Sequence, residues 1–330
     1  MQVTVLGAGS WGTTVANLVC NRNDTMLWAR RAETADEIND NRTNETYLSG
    51  FELAKGVVAT SDLEQALRHA ELLIVGVPTA GVRDTMKEAK RWVHPWIPIV
   101  SLSKGLEQKS LLRMTEVIAD ELPGHPVAAL TGPNIAREIM AGQAAASVIA
   151  TNDLSVAAAI QGVISRGLFR VYTNHDVIGC ELGGALKNVV AIACGIAQGL
   201  GVGDNTRAMV MTRGLAELTR LGAALGGEPA TFAGLAGMGD LVTTCISPHS
   251  RNRHVGEELG KGRKLDDIIA EMSMVAEGVK TASTARQLAK TVDVPMPVCD
   301  EISKVVAGRA SPDKAYRGLR LRPGHELDPG

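Results

Sequence analysis

With 330 residues the chain is long enough to bury two separate cores. Its net charge of −2 and 3% aromatic content exclude the basic field and stacking surfaces that nucleic-acid binding requires. Seven histidines form no H-x-x-H or H-E-x-x-H spacing and five cysteines no C-x-x-C, so neither a metal site nor a disulfide frame is expected.

The first predicted strand, residues 2–6, runs straight into Gly7-Ala8-Gly9-Ser10-Trp11-Gly12, and a helical pattern follows from Thr13. A dinucleotide pyrophosphate site needs this order. Gly7 allows the tight turn, Gly9 lets the backbone approach the phosphates, Gly12 lets helix and strand pack closely, and the helix offers its positive end. The second strand, 25–29, ends in Arg30-Arg31, where an NAD site usually places a carboxylate. Guanidinium groups suit a 2′-phosphate, so NADP(H) is favoured; Glu33 nearby permits NAD(H). A solvated basic turn is the plainer alternative for the arginine pair.

Further strands are predicted at 72–76, 97–102 and 126–131, then near 145–150 and 168–172, with helices such as 63–69, 81–91 and 111–121 between them. This alternation implies an α/β fold: a Rossmann-type doubly wound parallel sheet over 1–175, with ligands at the carboxyl ends of the strands. Val77-Pro78-Thr79 edges the same cleft. Lys104 stands at the carboxyl end of the 97–102 strand. Gly132-Pro133-Asn134 follows the 126–131 strand, with Pro133 suited to the first position of an anion-facing helix. Each of these last two sites fits a plain turn as well.

From Asp176 the pattern becomes long and rich in Ala and Leu, with helices predicted at 177–200, 206–225, 252–259, 265–272, 280–291 and 297–307. An all-α substrate and catalytic domain is expected over 176–315 and a loose tail over 316–330. Two charges stand alone in it. Lys187 is the only Asp, Glu, Lys or Arg between Glu181 and Asp204, and Asp240 the only one between Glu228 and Arg251. A desolvated lysine loses proton affinity and enters the range useful for proton transfer. A carboxylate in the glycine-rich loop around Asp240 needs a partner, and Lys187 is the natural one. The plainer alternatives are a snorkelling lysine or structural ion pair, and an N-cap aspartate. Asn188 could hold a substrate oxygen. Ser250-Arg251-Asn252-Arg253, just before a helix, reads as a phosphate cradle or as a solvated basic turn.

Taken together, these blocks resemble the bacterial-type NAD(P)-dependent glycerol-3-phosphate dehydrogenases. The resemblance is carried by the glycine turn, Ser103-Lys104-Gly105-Leu106, Thr131-Gly132-Pro133-Asn134, the stretch from Glu181 to Asn188, Arg213-Gly214-Leu215-Ala216-Glu217, Gly237-Met238-Gly239-Asp240, Ser250-Arg251-Asn252-Arg253 and Val275-Ala276-Glu277-Gly278. It implies that Lys187 gives and takes the proton at C2 of the substrate, with Asp240 orienting it and Lys104 holding substrate oxygens. Gly132, Asn134, Asn188, Ser250, Arg251 and Asn252 would also contact substrate. Ser10, Trp11, Arg30 and Arg31 would line the coenzyme, with Tyr47, Lys104, Ala136, Arg251, Val275 and Glu277 completing its site. The family often has Ser at the position of Asn134, and its second-strand end varies, so the coenzyme preference rests on Arg30 and Arg31.

The expected reaction is reversible hydride transfer between NAD(P)H and dihydroxyacetone phosphate, giving sn-glycerol 3-phosphate for phospholipid synthesis, with substrate held between the two domains. Two other readings compete. One is a two-domain dehydrogenase of β-hydroxyacids or ketopantoate-like acids, with Arg251 on a carboxylate; the other is a non-catalytic NADP(H)-binding redox regulator. The chain opens directly on a strand without a signal pattern and has no membrane-length apolar run free of Gly or charge, so a cytoplasmic enzyme without membrane insertion is expected. A homodimer is expected from the small apolar residues of the helical half.

Overall fold

The structure, a computed structural model, describes residues 1–272 and 274–318. The chain divides into two compact units, one of Met1–Ser103 with Leu112–Val177 and one of Lys104–Leu111 with the described residues from Ile178 onward. The sequence-based boundary at 175/176 thus misses an excursion: Lys104–Leu111 leaves the sheet unit and packs with the helices. Leu106, 4% exposed, is the side chain that anchors it in the helical core.

The first unit is an eight-stranded sheet of β1 (Gln2–Leu6), β2 (Asp24–Trp28), β3 (Val57–Thr60), β4 (Leu72–Val75), β5 (Ile99–Ser101), β6 (Val127–Thr131), β7 (Ala145–Ala150) and β8 (Phe169–Asn174). Their order is β3-β2-β1-β4-β5-β6-β7-β8, so the chain reverses direction across the sheet between β1 and β4, the place where such folds bind ligands. The central strands β1, β4 and β5 are buried on both faces because both faces are covered there. In register, Val3 meets Leu72, Val5 meets Ile74 and Ile74 meets Val100 on one face, while Leu6 meets Val75 and Leu73 meets Ile99 on the other. The two sets fall into two different buried clusters.

The sheet departs from the expected all-parallel form at one pair, β6 and β7, which run antiparallel. The connection between them holds only the five-residue helix Ala136–Met140, too short to cross back over the sheet. β7 and β8, joined through the eleven-residue helix Leu154–Ile164, are parallel again. The four-residue β3, flanked by Gly56, was not among the expected strands.

The second unit is helical. Its centre is Val177–Gly199, in which 19 of 23 residues are buried, so the helix is apolar on all sides. It is the one described helix long and apolar enough to cross a membrane by length and composition, and the most apolar 18-residue stretch of it is 94% buried within the molecule. Around it lie Asp204–Ala224, Asp240–Ile246, Arg251–Gly260, Leu265–Ala270, Glu277–Thr291, Pro297–Val306 and Pro312–Gly318. The last of these takes Tyr316–Gly318, expected to be loose, into a helix; the rest of the expected tail lies outside the described residues. Glycine sets the closest approach in this unit. A Cβ on Gly195 would lie 2.1 Å from the Arg253 carbonyl oxygen, and one on Gly256 2.1 Å from that of Ile192. Backbone therefore rests on backbone where Val177–Gly199 meets Arg251–Gly260, which fixes Asn188 beside Asn252.

Candidate active site

Lys187 lies mid-helix in Val177–Gly199 and is 5% exposed. One turn earlier, a Cβ on Gly183 would approach the Ala236 carbonyl oxygen to 2.6 Å. Only glycine there lets the π-helical turn Leu235–Gly239 press against the core helix. That turn delivers Asp240, the first residue of Asp240–Ile246, directly to the amine. Lys187 Nζ donates to Asp240 Oδ1 and to Thr244 Oγ1, the latter at 2.7 Å. Lys104 Nζ donates to the other carboxylate oxygen at 2.9 Å. One carboxylate, 1% exposed, therefore receives two ammonium groups.

Burial pulls the proton affinity of Lys187 down from 10.5 to about 7; the Asp240 charge opposes this and the Lys104 charge adds to it. An ammonium has three donors. Two are committed to Asp240 and Thr244, and the third meets no partner among the described residues.

A second network joins the same helices. Asn188 Nδ2 donates to the Lys104 carbonyl at 3.3 Å, Asn252 Nδ2 donates to Asn188 Oδ1 at 2.9 Å, and Asn252 Oδ1 accepts from the Gly278 N–H at 2.9 Å. Both amides tie Lys104 and the start of Glu277–Thr291 to the core helix, and each keeps one N–H uncommitted. Ser250 caps Arg251–Gly260, its hydroxyl accepting from the Arg253 N–H at 3.3 Å. Arg251 is exposed and donates Nη1 to the Val275 carbonyl at 2.8 Å, with Glu277 close enough to act on its charge. Arg253 takes a different part: it is buried, and its guanidinium is bound to Ser247, Gln198 and Glu257.

In the sheet unit, Gly7 has φ +108, and a Cβ on Gly12 would sit 2.0 Å from the Gly7 carbonyl oxygen. A Cβ on Gly9 would meet nothing within 4 Å, so the turn is tight beneath and open above. The helix Ser10–Val19 begins at Gly9 with no side-chain cap. Trp11 carries a buried indole N–H without an acceptor among the described residues. An open glycine turn, an uncapped helix start and an orphaned donor fit a dinucleotide with its pyrophosphate on the turn. Arg30 is exposed just beyond β2; Arg31 donates to the Tyr47 hydroxyl at 3.3 Å and lies 5.6 Å from the centre of its ring. Gly132 has φ +123, Asn134 is half-buried, and Ala136 opens Ala136–Met140. Pro133 is not at the first helical position as expected, since Ile135 is the N-cap and the helix starts three residues after the proline.

Thr244, which shares the lysine with Asp240, was not foreseen. Its signal was present, because a threonine four residues after Asp240 on a helix donates to that residue's carbonyl, here at 2.6 Å, and leaves its lone pairs for the amine.

Residues 2–157 match the family described as NAD-dependent glycerol-3-phosphate dehydrogenase N-terminus, and residues 176–317 the corresponding C-terminus. The chain is 55% identical over 331 aligned residues to a glycerol-3-phosphate dehydrogenase [NAD(P)+] of Sphingopyxis alaskensis, covering 100% of this chain and 99% of that protein. It is 49% identical to one from Mycobacterium avium, covering 99% and 96%. The crystal structure of the glycerol-3-phosphate dehydrogenase of Coxiella burnetii superposes with a TM-score of 0.93 at 34% identity, over 97% of this chain and 98% of that one. A buried cluster of two lysines on one aspartate, an open glycine turn and matches along nearly the whole length lead to one conclusion: the chain belongs to the NAD(P)-dependent glycerol-3-phosphate dehydrogenase family and is an oxidoreductase.

Proposed function

We propose that the chain interconverts dihydroxyacetone phosphate and sn-glycerol 3-phosphate, with Lys187 as the acid–base group and NADP(H) as the favoured coenzyme. The observation that supports this above others is the buried ammonium of Lys187, which is poised near neutrality with one proton uncommitted. When bound, the coenzyme supplies or accepts the hydride at C2. Lys187 donates its free N–H to the carbonyl oxygen at C2 and transfers that proton as negative charge develops there. Asp240 keeps the amine charged and aimed, while Lys104 shares the carboxylate and offers a second positive group to substrate oxygens. Arg251, whose Nη1 is steadied by Val275, holds the phosphate, so binding energy away from the reacting carbon fixes its position.

Gly7, Gly9, Ser10, Trp11 and Gly12 would hold the pyrophosphate, and Arg30 and Arg31 the 2′-phosphate. Gly132, Asn134, Ala136, Asn188, Ser250, Asn252, Val275 and Glu277 complete the proposed substrate and coenzyme contacts. We further place the enzyme in the cytoplasm as a homodimer serving phospholipid synthesis; its five cysteines are buried and form no disulfide among the described residues, in keeping with a reducing compartment. Oxidation of NADPH and NADH, each followed with and without dihydroxyacetone phosphate, tests the reading. Oxidation that depends on the triose phosphate and is faster with NADPH supports it. Activity instead on a phosphate-free β-hydroxyacid or ketoacid, or coenzyme binding without turnover, would overturn it.

A further inference from the structure

We propose that Asn44 is a positioning residue that aims the Gly9 N–H at the coenzyme pyrophosphate, an assignment that rests on the coenzyme reading of the glycine turn given above. Asn44 is fully buried and begins the short helix Glu45–Leu48, yet its side chain does not cap that helix. It reaches back across 36 residues of sequence instead, and Nδ2 donates to the Ala8 carbonyl at 2.9 Å and to Thr13 Oγ1 at 2.9 Å.

The Ala8 carbonyl belongs to the same peptide group as the Gly9 N–H. In a planar trans peptide the two point in opposite directions, so whatever holds the carbonyl also sets the direction of the N–H. Asn44 draws the carbonyl to the buried side of the turn. The N–H is thereby turned to the opposite side, at the one glycine of the turn where an added Cβ would meet nothing within 4 Å. The amide orientation follows from its partners, because the Ala8 carbonyl can only accept and the nitrogen must face it. The segment is bound to the turn a second time: Ser10 Oγ donates to the Tyr47 carbonyl at 2.5 Å. Tyr47 in turn meets Arg31. The phosphate turn and the arginine proposed for the 2′-phosphate therefore lean on the same short segment, 44–48, with Asn44 beneath the part common to both coenzymes.

Asn44→Asp keeps the shape and replaces the donor by a carboxylate facing a carbonyl. The test measures Kd for NADPH and for NADH by tryptophan fluorescence, with KM and kcat for both coenzymes and KM for dihydroxyacetone phosphate. The expected result is that Kd and KM rise about tenfold for NADPH and NADH alike, about one hydrogen bond in free energy, while kcat at saturating coenzyme and the triose phosphate KM hold. A purely structural role predicts lower kcat through loss of folded enzyme with both Kd values unchanged, and that outcome overturns the assignment. A loss confined to NADPH also overturns it, since it places the effect at the 2′-phosphate. Wild-type protein that binds neither coenzyme overturns the coenzyme reading itself. If Asn44→Asp does not fold, Asn44→Ala, which removes the donor without adding a charge, is measured by the same criteria with a rise of about threefold expected.

Discussion

Asp240→Asn is the substitution that most sharply probes how the proton of Lys187 is governed. The carboxylate is 1% exposed and receives both Lys187 and Lys104, the latter at 2.9 Å. At an effective dielectric near 20, unit charges about 3 Å apart attract by roughly 5 kcal/mol, and removing one partner of a buried pair is typically measured at about 3–5 kcal/mol. Taking about 3 kcal/mol as the loss to Lys187, and about 1.4 kcal/mol per pKa unit, its proton affinity falls by roughly 2 units. From about 7 in the native enzyme the amine then titrates near ~5. At neutral pH the protonated fraction drops from about half to about one per cent, so kcat/KM for reduction falls roughly fiftyfold, with its pH midpoint displaced to the acid side. The assay is the pH profile of kcat/KM for NADPH-dependent reduction of dihydroxyacetone phosphate, with circular dichroism to confirm that the variant is folded. A folded variant whose midpoint stays near that of the wild type would refute the reasoning, whatever its absolute rate.

Three further outcomes are expected. Arg31→Ala raises KM for NADPH about tenfold or more and leaves KM for NADH nearly unchanged, because only NADPH carries a 2′-phosphate for the guanidinium to pair with; equal changes would remove the basis for the coenzyme preference. Gly256→Ala forces a methyl group to within 2.1 Å of the Ile192 carbonyl oxygen, so the helices must separate, at a cost of about 1–3 kcal/mol or more in urea denaturation, and a fully stable variant would contradict the close packing. Glu217 is buried beneath the start of Pro297–Val306 and accepts from the Val298 and Cys299 N–H groups at 2.7 and 3.2 Å; burial raises its proton affinity from 4.5 to about 7. Between those values the folded state binds more protons than the unfolded chain, so this group's stabilising contribution declines as pH rises through the window. Glu217→Gln should flatten that slope in denaturant titrations, and an unchanged slope would refute the assignment.

The parts of the site legible in the sequence were those that broke a local pattern. Lys187 and Asp240 stood out because each is a lone charge in a long apolar stretch, and their pairing followed from the expense of leaving either alone. The glycine turn was legible because backbone geometry restricts the residue type at Gly7 and Gly12. What escaped depends on contacts distant in sequence. Lys104 reads as the end of a strand, and its membership of the helical unit is decided by Leu106 and by Asp240, more than a hundred residues away. Asn44 gives no local signal, because its amide serves the Ala8 carbonyl, 36 residues earlier in the chain. β3 was missed because its four residues, Val57-Val58-Ala59-Thr60, lack the unbroken run of large apolar side chains that marks the equally short β4, Leu72-Leu73-Ile74-Val75. The antiparallel turn of β7 depends on the shortness of the connection before it, which the identity of the strand residues does not report.

The central claim is that the Lys187 ammonium supplies the proton in the reductive step. Lys187→Ala, assayed for turnover of dihydroxyacetone phosphate with NADPH and titrated with NADPH on the same sample, tests it most directly. The account predicts turnover reduced by about a thousandfold or more with coenzyme affinity within about twofold of wild type. Turnover close to that of the wild-type enzyme would contradict it.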